Sequence, residues 1–338
     1  MNSQKHTQCG TNVAQDTQPM LEVRYCTYDK VDAILTSQHV LAVLTFGGED
    51  NRIHHPANVH IPLPISGPPV AEIWLVNAPT QTGNDGNIRW VSSGQLLFGS
   101  IQLPEDTSPL EDIASHVYAQ IHRFTMHSPT GHILRMWNYF DSINQGKGDQ
   151  ERYRRFCVGR ARGFALMQAR HYPAATAIGC DDPMRMVRVY WLASSAPGIS
   201  LENPRQISAY HYPKDYGPQP PSFARAMLDD KNQHIPLCLS GTAAIVGHNS
   251  LHHGNVLSQL EEIYSNFSAL LQRAHTIQPH IPLWFSAHSR LKIYSRHLED
   301  VASVRDAITA RLPNTPCLYL QGEICRKELL VEIDGFHC

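Results

Sequence analysis

Residues 321–336 read Gln-Gly-Glu-Ile-Cys-Arg-Lys-Glu-Leu-Leu-Val-Glu-Ile-Asp-Gly-Phe. Within 329–333 every residue except Glu332 is a strong apolar strand former. A strand sends alternate side chains to opposite faces. Leu329, Val331 and Ile333 therefore share one face, while Leu330, Glu332 and Asp334 point the other way. A carboxylate among such neighbours is poorly solvated, so its pKa rises and it can hold a proton near neutral pH, as a general acid must. The competing reading is a half-exposed strand with Glu332 in water. Seven residues before Glu332 stands the thiol of Cys325, across a tight turn expected at 326–328.

The rest of the chain bounds what this segment can serve. At 338 residues it can bury a large core, and its length favours two domains. A net charge of -2 gives no electrostatic case for nucleic acid or an anionic membrane. No apolar run approaches the ~18 residues of a membrane span, and residues 1–20 are polar, without the apolar core of a secretory signal. They read as a disordered tail. Eight cysteines without CxxC pairs or regular spacing point to reduced thiols in the cytoplasm. Twenty histidines include the adjacent pairs His54-His55 and His252-His253, which converge poorly on one ion, and no HExxH occurs. Neither a metal nor an organic cofactor is expected.

Hydrophobic periodicity then orders the elements. Strands are expected at 21–28, 40–46, 72–77, 88–92 and 95–98, with a loop over 54–69 and a hairpin connection at 83–86. A helix follows through Leu110, Ile113, Val117, Ile121 and Phe124, then a strand at 132–140, a helix at 151–169, and strands at 174–179 and 186–193. The second half repeats that order: strand 235–239, a helix through Val256, Leu260, Ile263, Phe267 and Leu270, strand 283–287, helix 298–311, and strands 317–322 and 329–333. Two copies of strand–helix–strand–helix–strand–strand imply an internally duplicated α+β protein. The boundaries expected are 21–193 and 226–338. The Pro-, Tyr- and Ser-rich segment 194–225 between them is long for a linker and is expected to pack over a site.

Ser240-Gly241, the helix carrying Gln259 and Asn266, and the ending Leu-Leu-Val-Glu-Ile-Asp-Gly resemble the RidA-like (YjgF) fold, which implies mixed sheets each backed by two helices. The arginine that binds carboxylates in that family should fall near Cys317, where this chain has none, so ordinary imine or enamine deamination becomes the alternative reading. The whole chain is similar to a narrower group, the chorismatase family of tandem RidA-like domains. The stretches that carry this resemblance are 135–144 (RMWNYFDSIN), 151–160 (ERYRRFCVGR), 205–213 (RQISAYHYP), 240–248 (SGTAAIVGH) and 325–335 (CRKELLVEIDG). It implies cleavage of chorismate to pyruvate and 3-hydroxybenzoate, with 4-hydroxybenzoate in a further branch that serves aryl polyene pigment and quinone pathways. A hydrolytic branch gives a dihydrodiol instead. A sensor built on the same fold, binding chorismate without turnover, is the non-catalytic rival. Chorismate is the one partner implied, for a monomer or small homo-oligomer.

Chorismate's two carboxylates call for arginines, whose planar fork matches a carboxylate. Arg152, Phe156 and Arg160 stand at i, i+4 and i+8 of one helix. Arg160, preceded by Gly159 where backbone can approach closely, and Arg152 are the carboxylate candidates, against the plainer reading of a solvated basic face that takes Arg154 and Arg162. The resemblance makes Tyr212 a pocket wall, puts Gly241 and Thr242 beside the reacting ring, and makes Glu332 the proton donor. It also associates cysteine at the position of Cys325 with the aromatising branch. Trp137 and Asn138 are read as architectural.

Overall fold

The computed structural model describes residues 20–47, 55–106, 108–165, 172–230 and 235–338. The tail expected over 1–20 lies outside them apart from Met20, as do Gly48, His54 and residues 166–169 of the expected 151–169 helix. The first sheet holds β1 (Leu21–Thr27), β2 (Val40–Phe46), β3 (Asn58–Ile61) and β4 (Val70–Val76), with a short helix α1 (Val31–Leu35) after β1. The second holds β5 (Gln81–Asp85), β6 (Ile88–Ser93), β7 (Leu96–Pro104), β8 (His132–Asp141), β9 (Ala174–Cys180) and β10 (Met186–Ser194), with helices α2 (Leu110–His127) and α3 (Arg152–Ala165). The third holds β11 (Gly198–Leu201), β12 (Ala226–Asp229), β13 (Leu237–Thr242), β16 (Arg290–Ser295), β17 (Cys317–Gln321) and β18 (Val331–His337), with helices α4 (Val256–Ile277) and α5 (Val301–Arg311). A two-stranded ribbon, β14 (Ile245–Val246) with β15 (Asn249–Ser250), follows β13.

Sheets two and three have the same wiring. Their orders are β5-β6-β7-β10-β8-β9 and β11-β12-β13-β18-β16-β17. In each, the last strand enters between the third and fourth, antiparallel to both, while the fourth and fifth run parallel. The duplication read from sequence is therefore a duplication of topology. The first sheet, β1-β4-β2-β3, repeats the scheme without its opening hairpin, so the stretch 21–193 carries two sheets.

Several local expectations change. Residues 283–287 form no strand, and the strand of that repeat is β16. The loop expected over 54–69 contains β3, parallel to β2. Residues 83–85 belong to β5, and its two-residue turn falls at Gly86-Asn87, where Gly86 takes φ 57°. Finally, β7 continues to Pro104.

Burial follows the two periodicities. The face of α4 bearing Leu260, Ile263, Phe267 and Leu270 packs on Val331 and Ile333 of β18. Each such side chain removed from water contributes roughly 1.5–3 kcal/mol. Phe336, two and four residues from Asp334 and Glu332, lies instead among Trp74 and Trp137 at the meeting of the three sheets. The alternation predicted for this strand holds, although Leu329 precedes it and packs with that central cluster.

Candidate active site

The edge strand of sheet two meets sheet three through Ser240, whose hydroxyl donates to the Ala224 carbonyl at 2.6 Å and accepts from the Ala175 amide at 2.9 Å. A cavity of about 210 Å³ opens beside this junction. Two buried polar side chains of α4 hold its walls. Gln259 donates to the Glu328 carbonyl at 2.8 Å and accepts from the Leu330 amide at 2.8 Å, fixing the approach to β18. Asn266 donates to the carbonyls of Ala243 and Ile245 at 3.1 and 3.0 Å, fixing the segment after Gly241. Arg296 clamps the remaining loop by donating to the carbonyls of Ile324, Arg326 and Leu329, each at 2.8 Å, and so sets Cys325. The Leu329 amide donates to the Arg326 carbonyl at 3.1 Å, closing the turn expected there.

Glu332 projects into this cavity from β18 and is only 4% exposed, so the half-solvated alternative is excluded. Burial, and next the Asp334 carboxylate two residues along, push its pKa up to about 8, against the lowering pull of Arg135, Arg225 and Arg296. A Cβ at position 241 would collide with the Glu332 carboxylate and stand 3.3 Å from Thr176 Oγ1. Glycine at 241 thus makes the space that the acid occupies. The raised value also has a stability consequence. An unfolded glutamate titrates near 4.3, so a native carboxyl at about 8 makes the fold progressively less stable as pH rises from about 4 to about 8. Glu332→Gln lacks this penalty. The difference in melting temperature between it and the wild type is expected to move in favour of the variant across that window and to level off on either side. A difference independent of pH would mean that the native carboxyl is solvated.

Arg160, on α3, is 3% exposed and lines the cavity. Its guanidinium lies 5.3 Å from the Tyr118 ring and 5.2 Å from the Phe164 ring, yet Nε and Nη2 have no hydrogen-bond partner. A buried cation with unpartnered donors facing a cavity is suited to an anion. Gly159 serves a different close approach from the one expected: a Cβ there would collide with the Glu111 carbonyl of α2.

Arg152 is not part of the cavity. It is bidentate to Glu105, at 2.9 and 2.5 Å, and donates to the Asp141 carbonyl at 2.9 Å. Eight residues of helix turn a side chain about 80° past its starting face, enough to separate Arg152 from Arg160. Arg162 is half-exposed and pairs with Glu111 and Asp112 at 3.0 and 3.4 Å. Thr242 also lies outside the lining residues, with its hydroxyl donating to the Ser240 carbonyl at 3.1 Å. Tyr212, Gly241 and Cys325 do line it. Cys325 is half-buried, and burial followed by the nearby Glu332 carboxylate holds its thiol well above the ordinary range, so it faces the cavity as a neutral thiol rather than a nucleophilic thiolate.

The structure adds residues that sequence reasoning missed. Arg225, 4% exposed, donates to the Tyr212 hydroxyl at 2.7 Å and the Ile207 carbonyl at 3.0 Å, leaving Nε unpartnered. Arg326 lies 4.0 Å over the Tyr216 ring. Tyr153, from the first turn of α3, and Thr176, from β9, complete the inner wall. Tyr212, Asp215, Tyr216, Pro221, Phe223 and Arg225, all from 194–225, line the cavity as well. Among the described residues no helix is long and apolar enough to cross a membrane.

Comparison with known proteins gives a consistent picture. Residues 72–193 match the family model described as chorismatase FkbO/Hyg5-like, N-terminal. A chorismatase from Streptomyces hygroscopicus is 35% identical over 272 residues, 78% of each chain. A 3-hydroxybenzoate synthase from the same organism is 33% identical over 282 residues, 79% of this chain and 81% of that one. A crystal structure of a chorismatase, 30% identical, superposes with a TM-score of 0.84 and covers 95% of this chain and 99% of that one.

Proposed function

This chain belongs to the chorismatase family, and from that premise we propose that it converts chorismate to pyruvate and 3-hydroxybenzoate. The observation that carries the reading is one cavity containing both a buried carboxyl able to hold a proton near neutrality and buried arginine donors without partners. Arg160 and Arg225 bind the two substrate carboxylates, and Tyr212 and Arg326 close the pocket over the ring. Glu332 delivers its proton to the methylene carbon of the enolpyruvyl group. The ether carbon becomes electron-poor, and the C3–O bond breaks to leave pyruvate with the ether oxygen as its keto oxygen.

Two captures of C3 then compete. Water gives the dihydrodiol. The substrate's own C4 hydroxyl gives, after loss of its proton to the Glu332 carboxylate and rearrangement of the ring, 3-hydroxybenzoate. The second route consumes no water, since pyruvate and hydroxybenzoate together contain all the atoms of chorismate. A neutral Cys325 thiol supports this route because it occupies volume that water would use and orients a water poorly.

Chromatography of the products formed from chorismate tests the proposal, with stoichiometric pyruvate and 3-hydroxybenzoate expected. In Cys325→Ala, pyruvate formation persists and product moves toward the dihydrodiol. A barrier difference of only ~1.4 kcal/mol redirects a competing flux tenfold. An unchanged product ratio at substantial turnover would reduce Cys325 to packing.

A further inference from the structure

Behind Glu332, where the three sheets meet, four charged side chains are withdrawn from solvent. Arg135 (β8), Lys292 (β16) and Asp334 (β18) are each 0% exposed, and Glu72 (β4) is 1% exposed. Their ion pairs run among themselves: Arg135 to Asp334 at 3.2 Å, Lys292 to Asp334 at 3.7 Å and Lys292 to Glu72 at 3.3 Å. Hydrogen bonds fix the geometry. Asp334 Oδ2 accepts from Thr176 Oγ1 at 2.8 Å, Trp137 Nε1 at 3.0 Å and the Tyr294 hydroxyl at 3.1 Å. Arg135 donates to Thr176 Oγ1 at 2.5 Å and to the Met136 carbonyl at 2.8 Å, and its guanidinium lies 4.3 Å over the Trp137 ring.

The cluster contains two cations and two carboxylates, so it is electrically closed without Glu332. Buried charge is tolerated when it is compensated. A fifth charge at Glu332 would find no cation of the cluster left to pair with, and a proton on Glu332 keeps the layer neutral. We propose that Asp334 is a positioning residue for the reaction: it claims Arg135, with Thr176 as the bridge, and so withholds that buried cation from the Glu332 carboxylate. Asp334 thereby keeps Glu332 a proton donor rather than a member of an ion pair. The other groups facing Glu332 are Arg225 from the segment before β12, Arg296 from beyond β16, Tyr153 of α3 and Cys325 of the turn loop. Arg296 donates to three carbonyls and Arg225 to Tyr212 and Ile207. Arg135 is the cation that Asp334 holds directly.

This inference rests on the reading of Glu332 as the acid, and its test separates the two. The pH dependence of kcat at saturating chorismate reports the protonated donor on its alkaline limb, because activity falls as the donor loses its proton. Asp334→Asn leaves one unmatched positive charge, which ionisation of Glu332 neutralises. The alkaline limb is expected to move down by about one pH unit or more, the scale of a newly paired carboxylate. Arg135→Gln leaves one unmatched negative charge, and the limb is expected to move up. The double variant restores neutrality and returns the limb toward the wild-type position.

Loosened packing would lower kcat or the melting temperature in both single variants but could not move the limb in opposite directions. Limbs that stay in place, or that shift the same way, would overturn the proposal. If Arg135→Gln does not fold, Lys292→Met, which also removes a cation, supplies the upward arm; if Asp334→Asn does not fold, Glu72→Gln, which also removes a carboxylate, supplies the downward arm. Should Glu332→Gln retain turnover with the limb unchanged, it is the assignment of the acid that fails, whatever Asp334 does.

Discussion

Glu332→Gln loses roughly 10²- to 10⁴-fold in kcat, the range a positioned general acid supplies, while chorismate still binds. Glutamine keeps the volume of the side chain that Gly241 accommodates and leaves β18 in register between β13 and β16. It cannot deliver a proton to the methylene carbon. No other carboxyl substitutes for it, because Asp334 is already committed to Trp137, Thr176, Tyr294 and Arg135. Glu151, Asp215 and Glu328, the other carboxyls lining the cavity, are less buried than Glu332. Substrate affinity rests on arginines that the change does not touch, so KM or a measured Kd stays close to the wild-type value. The measurement is steady-state pyruvate release beside equilibrium binding. Retention of more than about a tenth of kcat, a difference of only ~1.4 kcal/mol in the barrier, would exclude Glu332 as the donor.

The same strand shows how far the sequence could be read. Alternation in 329–333 places Glu332 on the face opposite the helices because the side-chain period of a strand is fixed by backbone geometry. Its burial, however, depends on Gly241 and Thr176, which come from other strands and leave no periodic trace near it. The strand expected at 283–287 does not form for a related reason. That run is apolar but ends in a turn, with the Ser289 amide donating to the Ser286 carbonyl at 3.1 Å. The true strand, β16, carries Arg290 and Lys292, which break the apolar pattern. Lys292 is nonetheless 0% exposed, because it belongs to the charge cluster at the centre of the molecule. Arg225 is not legible in the sequence because its segment has neither helical nor strand period, and its partner Tyr212 stands 13 residues away in the covering segment. Arg152 and Arg160 look alike in sequence. What separates them is the presence of Glu105 beside one and the absence of any carboxylate partner beside the other among the described residues, and only tertiary structure supplies that difference.

That difference predicts opposite consequences for the two arginines. Arg160 carries a buried charge whose Nε and Nη2 find no partner, with only the rings of Tyr118 and Phe164 against its plane. Removing a buried ion from water is costly, and stacking on aromatic rings returns only part of that. Arg160→Met keeps the apolar stem and removes the charge. The free enzyme is therefore expected to hold or gain melting temperature, while chorismate binding weakens by roughly 1.5–3 kcal/mol, the scale of charge-assisted hydrogen bonds, or about 10- to 150-fold in Kd. Arg152→Met does the reverse. It leaves the Glu105 carboxylate, whose side chain is 4% exposed, with only the longer pair to half-exposed Arg185 at 3.5 Å, so stability falls while affinity stays. Arg162→Ala changes neither appreciably, because its own side chain is half-exposed and the buried Glu111 carboxylate keeps its pair with Arg155. Thermal melts of the three variants with and without chorismate read both quantities together. Should Arg160→Met melt earlier than the wild type and bind chorismate equally well, Arg160 is a structural cation, and the substrate carboxylates must be held by Arg225 and Arg326 instead.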